Sequence, residues 1–234
     1  MKTLFKIIKW DFVLQWRYNI VTIALIISAL YVLLLKSIPN VDIDQLVILL
    51  VLSDPVMFGV MFIGVLVLYE KDNNTINALI VSPLTPSQYL WSKAISLTAI
   101  AVPIALAISI VGHGLKLNYI HLLLSVILTS IAFVFLGFIV VSKVNGFNQY
   151  IIKFVLFTLP VSIPMLGLFN ILHSDLYYLI PTHATILLLK SALNYNISLG
   201  QSIYAIVYLI FWLIIAYYFA VKAYEKNLLN GKHA

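Results

Sequence analysis

The chain has 234 residues, 63% of them hydrophobic and 9% charged, with a formal net charge of +6 and no cysteine. A soluble domain averages about 45–50% apolar and about 25% charged residues, so this composition excludes a water-soluble fold and calls for a lipid bilayer as solvent. The absence of cysteine excludes disulfides and thiolate metal sites, and the positive charge reads as cytoplasmic charge bias and attraction to anionic lipid rather than nucleic-acid binding.

The first residues, MKTLFKIIKWDFVLQWRYN, do not read as a signal peptide, because Lys6, Lys9 and Asp11 interrupt the apolar residues and no small-residue cleavage site follows. At about 100° per residue, Lys2, Lys6, Lys9 and Arg17 gather on one side, Leu4, Phe5, Ile8 and Phe12 elsewhere, and Trp10 and Trp16 suit the headgroup level. Residues 3–17 are therefore expected to form an amphipathic helix lying in the membrane interface; the alternative is a basic tail that sets topology.

Six stretches, at about 20–38, 46–69, 94–112, 119–142, 150–172 and 202–222, have the length and apolarity of a membrane-spanning helix. The second carries Asp54–Pro55, with Gly59 and Gly64 placed for close helix packing; the third contains Pro103, and the fifth is broken by Pro160 and Pro164. Between the fifth and sixth, the run ATILLLKSAL is too short to cross and too apolar to float, which favours a re-entrant or surface helix buried against protein over a plain loop. The expected fold is all-α and integral to the membrane. It is one domain over residues 1–234, with six transmembrane helices, an N-terminal interfacial helix and an outer re-entrant segment between helices 5 and 6.

Six spans put both termini on one side. That side collects Lys2, Lys6, Lys9, Arg17, Lys71, Lys93, Lys143, Lys153, Lys222, Lys226 and Lys232, and the other only Lys36, Lys116 and Lys190. Eleven against three predicts cytoplasmic termini in a bacterial plasma membrane protein. It also makes the polar, proline-containing loop 70–93, EKDNNTINALIVSPLTPSQYLWSK, cytoplasmic. With Leu79, Ile80, Val81 and Leu84 between polar residues, this loop can offer an apolar ridge to a partner's groove, or pack as a connector under the bundle.

No phosphate-binding loop of the form G-x-x-x-x-G-K-[ST] occurs, nor H-E-x-x-H, nor G-x-S-x-G, so the chain carries no familiar catalytic signature. His113, His121, His173 and His183 fall in expected outer loops and His233 near the C-terminus, with no i,i+4 histidine pair. Asp54 is the one acid well inside a span, roughly 22 Å from its cytoplasmic end at about 1.5 Å per residue. It faces a cargo path, pairs with a cation such as Lys190, or sits in wet outer headgroups. Pro160 and Pro164, with Thr158 and Ser162, free backbone carbonyls that line a cavity or serve as plain kinks.

The loop spacing Glu70-x-x-x-x-Thr75-x-x-x-Leu79-x-x-x-Pro83-Leu84-x-x-x-x-Tyr89-x-x-x-Lys93, with the N-terminal helix and six spans, resembles the permease subunits of ABC-2 type transporters. The stretch from Asp54 to Leu97 is most similar to the short bacterial drug-export permeases of the fluoroquinolone-export type. Asn73–Asn74 depart from the family's more charged, glycine-containing stretch before the Thr. The resemblance implies a non-catalytic subunit with a coupling helix at about Thr75–Leu84 seated on a separate ATPase. It implies two ATPases and a second permease, identical or related. The outer re-entrant helices would start at Pro181-Thr182-His183. No cofactor is expected in this chain, ATP and Mg belonging to the partner. The expected function is outward movement of amphipathic or hydrophobic cargo, a drug, peptide or lipid-like molecule. The competing functions are a non-transporting immunity or sequestering protein and an intramembrane enzyme built on His173, Asp175 and His183.

Overall fold

The computed structural model describes residues 2–37, 43–73, 75, 84–169, 171–172 and 174–229. Helix α1 covers Lys2–Arg17, and Asn19, in the left-handed region at φ 56°, turns the chain into α2, Ile20–Ser37. Asparagine tolerates that conformation better than most residues. The second span, α3, runs over Ile43–Asp72 and widens into a π-helical turn at Met57–Phe62, two residues after Pro55. Then come α4, Pro86–His113, α5, Tyr119–Ser142, and α6, Phe147–Val161. The fifth span ends with the short α7, Pro164–Leu168, and a 3₁₀ turn at Asp175–Leu179 leads into α8, Pro181–Ala192. The last span, α9, is Leu199–Tyr224, continued by a π-helical turn at Glu225–Leu229. Among the described residues six helices are long and apolar enough to cross a membrane.

Side-chain caps set two of the boundaries that hydropathy misplaces. In α4, Thr85 Oγ1 accepts from Gln88 N while Gln88 Oε1 accepts from Thr85 N, and Pro86 occupies the first turn. This capping box starts the helix at Pro86 rather than near 94. Ser198 and Gln201 make the same box at the start of α9. Neither box is apolar, so a hydropathy window passes over both.

Helix α5 is the centre of the bundle, packed on α3, α4, α8 and α9, while α4 also carries α1 and α2. The α3–α5 contact is unusually close. A Cβ on Gly137 would lie 2.6 Å from the Val60 backbone, and one on Gly59 2.5 Å from Phe133 Cβ. Only hydrogen at these positions lets the π-helical turn lie against α5. Gly64 admits the Tyr150 ring of α6 in the same way, and the Tyr150 hydroxyl donates to Val60 O within the π-helical turn. By contrast α6 is peripheral, with Ile152, Leu156 and Leu159 exposed.

The segment between the fifth and sixth spans is buried as expected. Its 12-residue helix α8 is about 18 Å long, too short to cross. Thr185 Oγ1 lies 2.7 Å from Thr129 Oγ1 of α5, and Thr182 Oγ1 donates to Val161 O at 2.6 Å. The second bond satisfies a carbonyl next to the Pro160 break.

Gly137→Val should overpack the α3–α5 contact and cost roughly 1–3 kcal/mol. The check is a thermal-aggregation scan in mild detergent, in which Gly137→Val lowers the midpoint by several degrees. Gly200→Ala, whose added Cβ meets only Ser198 Oγ at 3.9 Å, should leave it unchanged or slightly raised.

Candidate functional site

The most polar place in the bundle lies at the two roots of the loop between α3 and α4. Because α4 begins at Pro86, Tyr89 and Lys93 stand one turn apart on a helix and face inward. Glu70 lies in the last turn of α3 and meets them. Lys93 Nζ donates to Asp11 Oδ1 of α1 at 2.6 Å and also to Glu70 Oε1. The Tyr89 hydroxyl donates to Glu70 Oε2 at 2.5 Å. The Asp11 and Lys93 side chains are each 1% exposed and that of Glu70 5%. Removing such charges from water costs several kcal/mol per ion, so they persist only as a hydrogen-bonded set.

The surroundings complete a clamp. Gln15, one turn beyond Asp11 on α1, donates from Nε2 to Ser96 Oγ of α4 at 2.7 Å. The Tyr89 ring packs edge-on to Phe138 of α5 and tilted on Tyr224 of α9. Beside Glu70, Lys71 Nζ donates to Val141 O, Ser142 O and Val144 O at 3.1, 3.2 and 2.7 Å. An ammonium thus closes the bare carbonyls and negative dipole end of α5. Tyr217 of α9 donates to Ser87 Oγ at 2.9 Å. Both loop roots are fastened to α1, α5 and α9.

The arrangement fastens; it does not resemble a catalytic centre. Its acids are already engaged by Lys93 and Tyr89 and lie buried. Among the described residues no group of three His, Cys, Asp or Glu side chains is placed to hold a metal ion. His113 Nδ1 lies 2.7 Å from Asp44 Oδ1, and His121 Nδ1 3.1 Å from Ser191 Oγ, at the other end of the bundle.

Of the loop residues singled out from sequence, Glu70, Tyr89 and Lys93 come together and are buried. Thr75 stays half-exposed, beside Trp10, Arg17 and Asn73 in a shallow pocket of about 370 Å³, and Leu84 is half-buried. Leu79, Ile80, Val81 and Pro83 lie outside the described residues. Asp54 is 3% exposed, within the bundle rather than in wet headgroups. Its Oδ2 has no partner and no ion pair joins it to Lys190 among the described residues.

The break in the fifth span divides its candidates. Thr158 Oγ1 and Ser162 Oγ donate to their own helix, at Phe154 O and Thr158 O. Pro160 is exposed, and Pro164 is buried at the edge of a separate pocket near α8. Sequence reasoning missed Asp11 and Gln15, having turned Leu4, Ile8 and Phe12 of α1 toward the apolar side. The available signal was that Asp11 is the lone acid before Asp42.

Together these features define a multi-pass α-helical membrane protein whose buried charges brace the base of one loop. The chain matches the fluoroquinolones export permease protein family over residues 2–232, and it belongs to that family. It is 30% identical over 162 residues, 67% of each chain, to the fluoroquinolones export permease protein of Mycobacterium tuberculosis, both in strain CDC 1551 / Oshkosh and in strain ATCC 25618 / H37Rv. The drug-export resemblance read from the loop and spans is met by that membership.

Lys93→Met leaves two buried carboxylates without their cation and should cost roughly 3–5 kcal/mol. Its expected signature is loss of the monodisperse peak in detergent. Asp11→Asn, Glu70→Gln and Lys93→Met combined should restore most of it, since no bare charge then remains. A Lys93→Met chain as stable as the parent would show that the clamp carries no energy.

Proposed function

We propose that this chain is the non-catalytic membrane subunit of an ATP-driven exporter that moves amphipathic, drug-like cargo outward, powered by a separate ATPase. In this reading both termini and the loop after α3 face the cytoplasm, which the eleven-to-three division of Lys and Arg supports. Two copies, or this chain and a related permease, pair around the cargo, and each loop rests on one ATPase. ATP and Mg are bound by that partner.

The observation that carries the reading is the bracing of both loop roots in a chain of a drug-export permease family. A loop that only joins two spans needs no such anchorage. A loop that receives thrust does, because a push on residues 73–85 must reach the spans rather than bend the connection. Asp11, Glu70 and Lys93 carry that push into α1, α3 and α4 together. In the loop, Thr75, Leu79, Ile80, Val81, Pro83 and Leu84 are the residues we assign to the ATPase groove; Glu70, Tyr89 and Lys93 hold them in place from within. Further up α3, Asp54, buried with one bare carboxylate oxygen, is assigned to the cargo path as the group that meets a cationic cargo.

The test is co-purification with the products of the neighbouring genes. A stoichiometric ATPase is expected with the parent chain, and Leu84→Asp or Leu79→Asp should remove it while membrane insertion stays intact. A chain that purifies alone and exports nothing would refute the assignment. For the cargo path, Asp54→Asn should lower export of a cationic dye about tenfold with ATPase binding unchanged; equal export would remove Asp54 from it.

A further inference from the structure

At the end of the bundle opposite the termini, the break in the fifth span and the segment after it enclose a pocket of about 290 Å³. That is near the lower end of small-molecule sites, which run from about 300 Å³. One wall is α7, with Pro164, Gly167 and Leu168; another is the 3₁₀ turn, with Asp175, Tyr177 and Tyr178; the third is α8. His183, Ile186 and Lys190 stand at i, i+3 and i+7 on α8, so a single face of that helix lines the cavity.

The wall is built rather than loose. Thr182 ties the start of α8 to Val161. The Tyr177 hydroxyl donates to Leu172 O at 2.9 Å, and a Cβ on Gly167 would come within 2.9 Å of the Tyr177 ring. Tyr204 and Tyr208 of α9 donate to Tyr178 O and Leu179 O at 2.6 and 2.7 Å, holding the 3₁₀ turn from outside.

Its charges are left open. Among the described residues neither Asp175 nor Lys190 makes an ion pair. Burial, and then the nearby Lys190, lower the pKa of the His183 imidazole, so near neutral pH it carries no charge. Its Nε2 is buried without a partner, and the Tyr178 ring stands edge-on to it with centroids 4.6 Å apart. The pocket thus offers one cation, one anion, a neutral imidazole nitrogen and tyrosine rings between apolar patches. A monoanion or monocation would meet only one of the two charges, and a purely apolar molecule neither.

We propose that this pocket binds a zwitterion with an aromatic body as it leaves the transporter, its carboxylate on Lys190 and its amine on Asp175. The assignment rests on the export reading and names the place where cargo exits and the side chains that hold it there. It also gives a use to the proline break, since Pro164 and Gly167 turn the fifth span away to make room for the cavity.

The experiment uses the natural lack of cysteine. Ser174→Cys at the pocket lip supplies a unique thiol on the full-length chain, reconstituted with its ATPase in nanodiscs of phosphatidylglycerol. The readout is the rate of labelling by a membrane-impermeant maleimide. Norfloxacin, a zwitterionic fluoroquinolone, should slow labelling, and nalidixic acid, which lacks the amine, should protect less well. Lys190→Gln should weaken norfloxacin protection about tenfold, and Asp175→Asn should abolish the difference between the two compounds. Protection unchanged by both substitutions would overturn the proposal. So would protection by phosphatidylethanolamine in place of norfloxacin, which would give the pocket to a lipid headgroup. Norfloxacin export with the ATPase bound but no protection would sink the pocket and leave the export reading standing; absence of an ATPase would sink the export reading.

Discussion

One ammonium held between two carboxylates governs the end of the bundle where the loop is rooted. Lys93 cannot lie at 1% exposure without an anion, and Asp11 and Glu70 cannot lie there without a cation. Because the three come from α1, α4 and α3, no one of these helices can withdraw without leaving bare charge in a medium of low dielectric. An interfacial helix held by lipid alone is bound reversibly. Here α1 becomes part of the bundle, with Trp10 and Trp16 outward and Asp11, Leu14 and Gln15 inward. The Tyr89 hydroxyl, donating to Glu70, adds a third hydrogen bond to the set.

A related demand, that freed backbone carbonyls find donors within the bundle, accounts for the irregular backbone. A π-helical turn and a broken helix each free carbonyls that lipid cannot satisfy. At Met57–Phe62 the Tyr150 hydroxyl reaches Val60 O through the gap left by Gly64. At the Pro160–Pro164 break, Thr182 Oγ1 donates to Val161 O. Lys71 serves the carbonyls at the end of α5. Each of these three irregularities has a named donor on a different helix. The irregular places are therefore also the places where helices are joined.

This explains which parts of the fold were legible in the sequence. The six spans and the buried segment between the fifth and sixth follow from apolar run length, which the bilayer sets directly. Close approach at Gly59 and Gly64 follows from residue size. The start of α4 was not legible from hydropathy, because Thr85, Pro86 and Gln88 look like loop until the reciprocal cap is recognised. That misplacement also made Tyr89 and Lys93 look like exposed loop residues, when one helical turn carries them inside. Asp11 was masked by its neighbours. On a helix with three lysines a lone acid reads as part of the polar face, and only its partner 82 positions away turns it inward. Pairings over such distances leave no local trace.

The distribution of these joints also says where the fold is stiff and where it yields. At the loop end, charge pairs, a capped helix end and an aromatic wall bind α1, α3, α4, α5 and α9 together. On the flank, α6 has Tyr150 as its one fully buried side chain and leaves Ile152, Leu156 and Leu159 exposed. Regions with few buried contacts open at the least free-energy cost. The fifth span buries no charge, and Thr182 joins its end to α8, one face of which lines the pocket. On the export reading, a push on the braced loop travels unweakened into the core, and the flank absorbs it where the opposite end has to open. The charge clamp and the proline break are then complementary: the first makes one end too costly to deform, so that motion is expressed at the second.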